Sequence, residues 1–280
     1  MQLALAKNPN TPVAALEYLS GHGKFTILKA VAENPNTPPA ILERLALHEQ
    51  HTVVVAVVYN PKTPLATLER LVTHPHAEVR STLVTNRAVT PVMLETLSRD
   101  EDSSVRCHVS ESNQCPGVLL EQLAFDESAN VRGNVAASFN SPLELIRKLA
   151  RDPEANVRSR TVYHLVSTGQ HDLLELLAHD TDVRIREQIA MSSDLNIATL
   201  EQLLQDPDPE VRMNLAFSKV TPTPAHIIEA LANDPNADVR WLVASNGEIS
   251  TVTLERLTKD EDADVRAAAR EKLSERSSTI

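Results

Sequence analysis

Apolar positions recur along this 280-residue chain with a long period laid over a helical one. Val79, Val105, Val131, Val157 and Val183 stand 26 residues apart, Val211 and Val239 follow at steps of 28, and Val265 at 26. Stepping back by 26 reaches Val53 and Ile27. Eight positions earlier there is usually a leucine: Leu19, Leu45, Leu71, Leu97, Leu123, Leu149, Leu203, Leu231 and Leu257. Three positions before that lies another apolar residue, as in Leu42, Leu68, Leu94, Leu120 and Ile146. A spacing of three puts such a pair on one face of a helix, and V-x-x-x-V gives a second helix its buried face. Neither helix buries that face alone. A sequence that repeats one such unit predicts a stack with a continuous core.

The polar positions punctuate the unit. Thr11, Thr37, Thr63 and Thr90 precede prolines, so the threonine is expected as N-cap and the proline as first helical residue. An acidic stretch ends the first helix and opens the second, where carboxylates favour the positive helix end. Asn-Pro ends the second helix, because the residue before proline disfavours helical backbone. The segment HTVVVAVVY looks like a strand in isolation, but its register in the repeat predicts helix. The expected fold is all-α: an α-solenoid of about ten 26–28-residue, two-helix repeats whose second helix is short, α or 3-10. Residues 1–280 form a single array, with 1–8 a partial repeat and 267–280 a polar cap. Leu3 and Leu5 are expected at an uncapped core edge, a possible contact point for a partner or second copy.

Charge narrows the function. The net charge is −11 and aromatics are 3% of the chain. Both disfavour nucleic-acid binding, which needs a basic footprint, and the charge disfavours anionic membranes. The N-terminus shows no signal-peptide pattern, and the longest apolar run, Val53–Tyr59, is far below a membrane span. Cys107 and Cys115 give no disulfide framework or zinc signature, and a reducing cytoplasm is the natural reading. No Ser-His-Asp pattern, phosphate loop, HExxH or paired-cysteine motif is present, so neither enzyme chemistry nor a cofactor is expected.

The segments NPNTPPAILERLA and VRxxVAxN resemble the leucine-rich repeat variant family of bacterial proteins over nearly the whole chain, most specifically at residues 8–16, 34–45 and 60–71. The resemblance implies alternating α and short α or 3-10 helices in a right-handed superhelix. Later repeats also resemble HEAT-type repeats. That implies a structural ladder of aspartates and arginines six apart: Asp100/Arg106, Asp126/Arg132, Asp152/Arg158, Asp206/Arg212, Asp234/Arg240 and Asp260/Arg266, with Asp180/Arg184 a shortened version. Arginine's planar fork is expected to bond its own aspartate and the next repeat's. The iron–sulphur module of some relatives is not carried over, for want of a cysteine cluster.

Departures from the repeat mark candidate sites. The residue two after each repeat valine is expected to face away from the core, and this row turns apolar at Ile185, Met213 and Trp241, flanked by Arg160 and Arg186. These five residues are the candidate partner-binding strip, since exposed aromatics and methionine are enriched at hot spots. His22, His48 and His74 occupy the aspartate slot, with His51 and His76 nearby. Such a corner suits a metal or pH-sensitive site, or imidazoles that cap the turn as aspartate does. Asp260, Asp262, Asp264 and Glu271 mimic a calcium loop, but Val265 stands where the turn needs glycine. The leading function is a non-enzymatic protein-binding scaffold. The alternatives are a HEAT-like metal-dependent enzyme, for which His48-Glu49 is the sole His-Glu pair, and a nucleic-acid-binding helical-repeat protein using Arg158, Arg160, Arg184 and Arg186.

Overall fold

The computed structural model describes residues 1–193, 195–217, 224–245 and 249–277. Their regular structure is helical throughout, with twenty-one helices and no strand among the described residues. The chain forms two compact units, Met1–Pro142 and Leu143–Ile280. In each, first and second helices alternate, and each second helix packs on the second helix of the next repeat. The HTVVVAVVY segment is the helix His51–Tyr59, with Val53, Val54, Ala56, Val57 and Val58 buried. The two leucines of the first helix and the two apolar residues of the second meet in the core: Leu68, Leu71, Val79 and Leu83 are at most 5% exposed. This is an α-solenoid.

Three local expectations are corrected. The second helix is α-helical and, after the first complete repeat, no shorter than the first: Pro39–Leu45 has 7 residues and His51–Tyr59 has 9, while Leu65–Leu71 and Ala77–Leu83 have 7 each. The first helix stops at its second leucine because the next turn closes there, with the Asp100 and Asp126 amides donating to the carbonyls of Leu97 and Leu123. The second helix runs on until its asparagine, where the Asn34 and Asn60 amides donate to Val31 and Val57. Secondly, Pro12, Pro38 and Pro64 are themselves the N-caps. The hydroxyls of Thr11, Thr37 and Thr63 instead donate back to the carbonyls of Leu5, Val31 and Val57, each at 2.5 Å. Only Thr90 caps, accepting from the Met93 amide at 3.3 Å, because Val89 fills the slot that threonine holds elsewhere. Thirdly, Val183 is not the repeat valine. Ile185 is, at 1% exposure, so the step from Val157 is 28 residues.

The asparagine that follows the second helix in the early repeats does more than end it. Asn60 Nδ2 donates to the carbonyls of Ala32 and Asn34 in the preceding repeat at 2.6 and 3.0 Å, while its Oδ1 accepts from the Lys62 amide at 3.0 Å. Asn34 makes the equivalent bonds to Ala6, Asn8 and Asn36, and Asn86 bonds to Val58 and Ala88. One amide side chain satisfies a turn in its own repeat and helix-end carbonyls in the one before. Asn60→Ala removes the side-chain donor from the Ala32 carbonyl and leaves the Asn34 carbonyl only the Thr37 amide, so the expected loss is about 1–3 kcal/mol, measured by urea unfolding of the parent and variant.

Candidate functional site

The repeated arginines form an interior ladder whose rungs run between repeats. Arg106 Nε and Nη2 donate to Asp126 Oδ2 and Oδ1 at 2.7 and 2.9 Å, twenty residues ahead. Its Nη1 donates to the backbone carbonyl of Asp100, its own repeat's aspartate, at 2.8 Å. The same forked pattern joins Arg80 to Asp100, Arg158 to Asp180, Arg186 to Asp206, Arg212 to Asp234 and Arg240 to Asp260. Each of these carboxylates also accepts the amide two residues on, as Asp100 does from Asp102 and Asp206 from Asp208. Arg132 and Arg266 make the backbone bonds to Asp126 and Asp260, and Asp152 accepts from the Glu154 amide.

This corrects the expected bonding in two respects. The arginine meets its own repeat through a carbonyl, not through that repeat's carboxylate. And the arginine of the seventh complete repeat is Arg186, not Arg184: Arg186 Nη1 donates to Asp180 O at 2.8 Å, while Arg184 is exposed and pairs with Asp182 at 2.7 Å. Arg186 is therefore removed from the partner strip, its side chain only 13% exposed. Ile185 leaves the strip with it, as a core residue.

The histidines follow from the same geometry. The carbonyl bond needs no particular side chain, so Arg80 Nη1 donates to His74 O at 2.6 Å although the slot holds no aspartate. His48 Nδ1 and His74 Nδ1 accept the amides of Gln50 and His76 at 3.0 and 3.1 Å, as the aspartate carboxylates do elsewhere. His22 departs from this, its Nδ1 lying 2.9 Å from Tyr18 O and its ring stacked on Tyr18. Across the ladder, the residues that would bond His48 and His74 are Leu28 and Val54, both buried and apolar. Arginine and aspartate thus disappear as an inter-repeat pair.

His51, His74 and His76 do come together. Ring centroids of His51 and His76 lie 4.6 Å apart, those of His74 and His76 5.6 Å, and His51 Nε2 is 3.1 Å from Glu78 Oε2. Among the described residues, no three His, Cys, Asp or Glu side chains converge as a metal-holding set. Of the calcium-like residues, Asp260 is in the ladder, Asp262 Oδ1 caps its helix by accepting from the Asp264 and Val265 amides, and Val265 is buried. Cys115 is buried, and burial pushes its thiol up to about 11.

Both helix rows present a face to solvent, and large exposed apolar side chains of the second helices gather in Leu143–Ile280. In Leu143–Ile280, the row two after the repeat apolar residue reads Ser159, Glu187, Met213, Trp241 and Ala267. Met213 is half-buried and Trp241 is 43% exposed. Four residues on, one helical turn along the same face, lie Tyr163, Met191 and Phe217, at 66%, 60% and 56% exposure. The apolar row expected from the sequence is therefore wider than that pattern suggests, since Tyr163, Met191 and Phe217 share its period. Arg160 is exposed near the start of this face. Trp241 borders an open groove of about 550 Å³ between the helices Ala237–Ser245 and Ala263–Ser277, lined also by Asp238, Ser245, Asp264, Ala267 and Glu271.

A solved leucine-rich repeat variant, described as having a novel repetitive structural motif, is similar to this chain with 26% identity and a TM-score of 0.66, over 81% of this chain and 88% of that one. An engineered protein matches at 15% identity and a TM-score of 0.37 over 98% of this chain and 93% of its own. A designed armadillo repeat protein matches at 14% identity and a TM-score of 0.19 over 98% and 99%. The last two scores carry no argument. No protein-family model matches the chain, and no curated protein does. The repeats resemble the leucine-rich repeat variant in sequence and in fold.

Two measurements check the ladder and the histidines. Arg212→Ala leaves the buried Asp234 carboxylate without its fork and is expected to cost about 3–5 kcal/mol in urea unfolding, with Arg212→Lys recovering part because an ammonium keeps the charge but not the bidentate bond. For pH, hydrogen bonding from Arg240 holds the Asp260 carboxyl below its usual value. Its contribution is full above the unfolded-state value of about 4 and is lost as pH falls through the depressed folded value. Burial, then the neighbouring His76, lowers His74. A lowered histidine contributes stability above its unfolded value of about 6.5 and loses it as pH falls toward the folded value. Stability is therefore expected to step down first just below pH 6.5 and again below pH 4. Burial lowers His164 as well, so His74→Gln should shrink the first step and leave the second unchanged, in urea titrations at graded pH.

Proposed function

We propose that this leucine-rich repeat variant array is a non-enzymatic protein-binding scaffold, and that the second-helix face of Leu143–Ile280 is its binding surface. One observation carries this reading. Large apolar side chains stand exposed at the repeat period along that face: Tyr163, Met191 and Phe217 in one row, with Met213 and Trp241 beside them. Core requirements do not explain them, because the core is already filled by the residues two and four positions away on each helix. The corresponding row of Met1–Pro142 reads Glu33, Tyr59, Thr85, Glu111 and Ala137, which is largely polar or small. Aromatic and methionine side chains supply contact area at low entropic cost, which is why they concentrate at interfaces.

Two features weigh against the alternatives. The phosphate-gripping reading needs presented arginine forks, but Arg158 and Arg186 spend theirs on Asp180 and Asp206. The metalloenzyme reading needs His48 to be a ligand, but its Nδ1 accepts a backbone amide. No helix among the described residues is long and apolar enough to cross a membrane. Localisation to the cytoplasm fits the free cysteines.

The test is paired capture. The immobilised chain and a Tyr163→Ser, Phe217→Ser variant are exposed to the native lysate, and retained proteins are compared by mass spectrometry. The expected result is a protein retained by the parent and at least fivefold depleted on the variant. Equal retention by both would assign the binding surface elsewhere and contradict the proposal.

A further inference from the structure

The Trp241 groove sits at the end of this apolar face and differs from it in charge. Its lining carries four carboxylates, Asp238, Asp262, Asp264 and Glu271, together with the indole of Trp241, and no lysine or arginine is among its lining residues. Asp262 is committed to its helix cap. Asp238, Asp264 and Glu271 are exposed and enter no ion pair with a described residue. The nearby Arg240 does not neutralise them, since its fork is taken by Asp260. The result is an exposed aromatic face beside three carboxylates in one concavity. An indole face attracts a cation, and low local cation density leaves the carboxylates uncompensated. A neutral or acidic partner segment gains nothing from this arrangement. A long aliphatic stem ending in a positive charge fits both parts, with methylenes on the indole and the head among the carboxylates. The volume, about 550 Å³, falls in the range of sites that enclose a side chain or small ligand.

We propose that this groove receives a lysine or arginine side chain from a basic segment of the protein partner. The inference rests on the scaffold reading for the partner, but not on the apolar rows for its chemistry. Trp241 is the chain's one tryptophan, so emission excited selectively at tryptophan reports on the groove alone.

The experiment titrates the full chain with acetylated octalysine, with octaglutamate as the acidic control, and follows Trp241 emission. Octalysine is expected to shift or quench the emission saturably, with affinity falling as salt rises, and octaglutamate to leave it unchanged. The variant Asp238→Asn, Asp264→Asn, Glu271→Gln keeps Trp241 and changes only exposed side chains, and circular dichroism checks that it stays folded. It is expected to bind octalysine at least fivefold more weakly. No emission change with octalysine, or equal binding by the neutralised variant, overturns the proposal. Those results leave the scaffold reading intact if paired capture still finds a partner that depends on Tyr163 and Phe217. Failed capture alongside a charge-dependent emission change overturns the apolar surface and leaves the cation site standing.

Discussion

A buried guanidinium has five N–H donors to satisfy, and in this chain it does so by touching two repeats at once. The arginine reaches back to the carbonyl of its own turn and forward to the carboxylate of the next, as Arg212 does with Asp206 O at 2.6 Å and Asp234 at 2.7 and 2.9 Å. That requirement fixes where the chain can absorb insertions. The aspartate-to-arginine interval stays at six in every rung. The forward interval is 20 residues from Arg186 to Asp206 but 22 from Arg158 to Asp180 and from Arg212 to Asp234. The extra residues lie after the arginine, outside the turn that holds both ends of the fork.

Taking two charges out of water is costly, and a buried ion pair by itself is weak evidence of net stability. Here the cost is offset by complete pairing: each carboxylate accepts a two-pronged fork and a backbone amide, and each guanidinium also bonds a carbonyl. In the early repeats, where the fork is absent, arginine and aspartate are absent together. Leu28 and Val54 stand opposite His48 and His74, and the second ladder of Asn34, Asn60 and Asn86 ties the same repeats through neutral amides. The two devices satisfy helix-end and turn groups along the stack.

The repeat, its helical composition and its core were legible because leucines at fixed offsets specify them directly. The slot of the ladder and its bond to the next repeat were legible, but the bond to its own repeat was not, since that one goes to a carbonyl and not to the carboxylate. A six-residue spacing suggests a carboxylate bond within the repeat as well as between repeats, whereas the aspartate carboxylate in each fork lies 20 or 22 residues on. The sequence V-R-I-R at Val183–Arg186 hid the true register, since both dipeptides fit apolar-arginine. Leu177, eight before Ile185, and Asp180, six before Arg186, are the signals that resolve it. Thr-Pro misled because a hydroxyl can cap forward or donate backward, and only the position of the preceding helix decides. Met213 and Trp241 were found from the row of residues two after each valine, while Tyr163, Met191 and Phe217 lay one turn further along the same helices.

The most direct test of the account is a double-mutant cycle on Arg186 and Asp206, because Arg186 is the residue assigned either to the ladder or to a partner. Urea unfolding of Arg186→Ala, Asp206→Ala and the double variant gives their coupling energy. If the fork joins the repeats, the coupling is on the order of 1–3 kcal/mol and Arg186→Ala alone destabilises the chain. A coupling near zero with unchanged stability would place Arg186 outside the ladder and contradict the account.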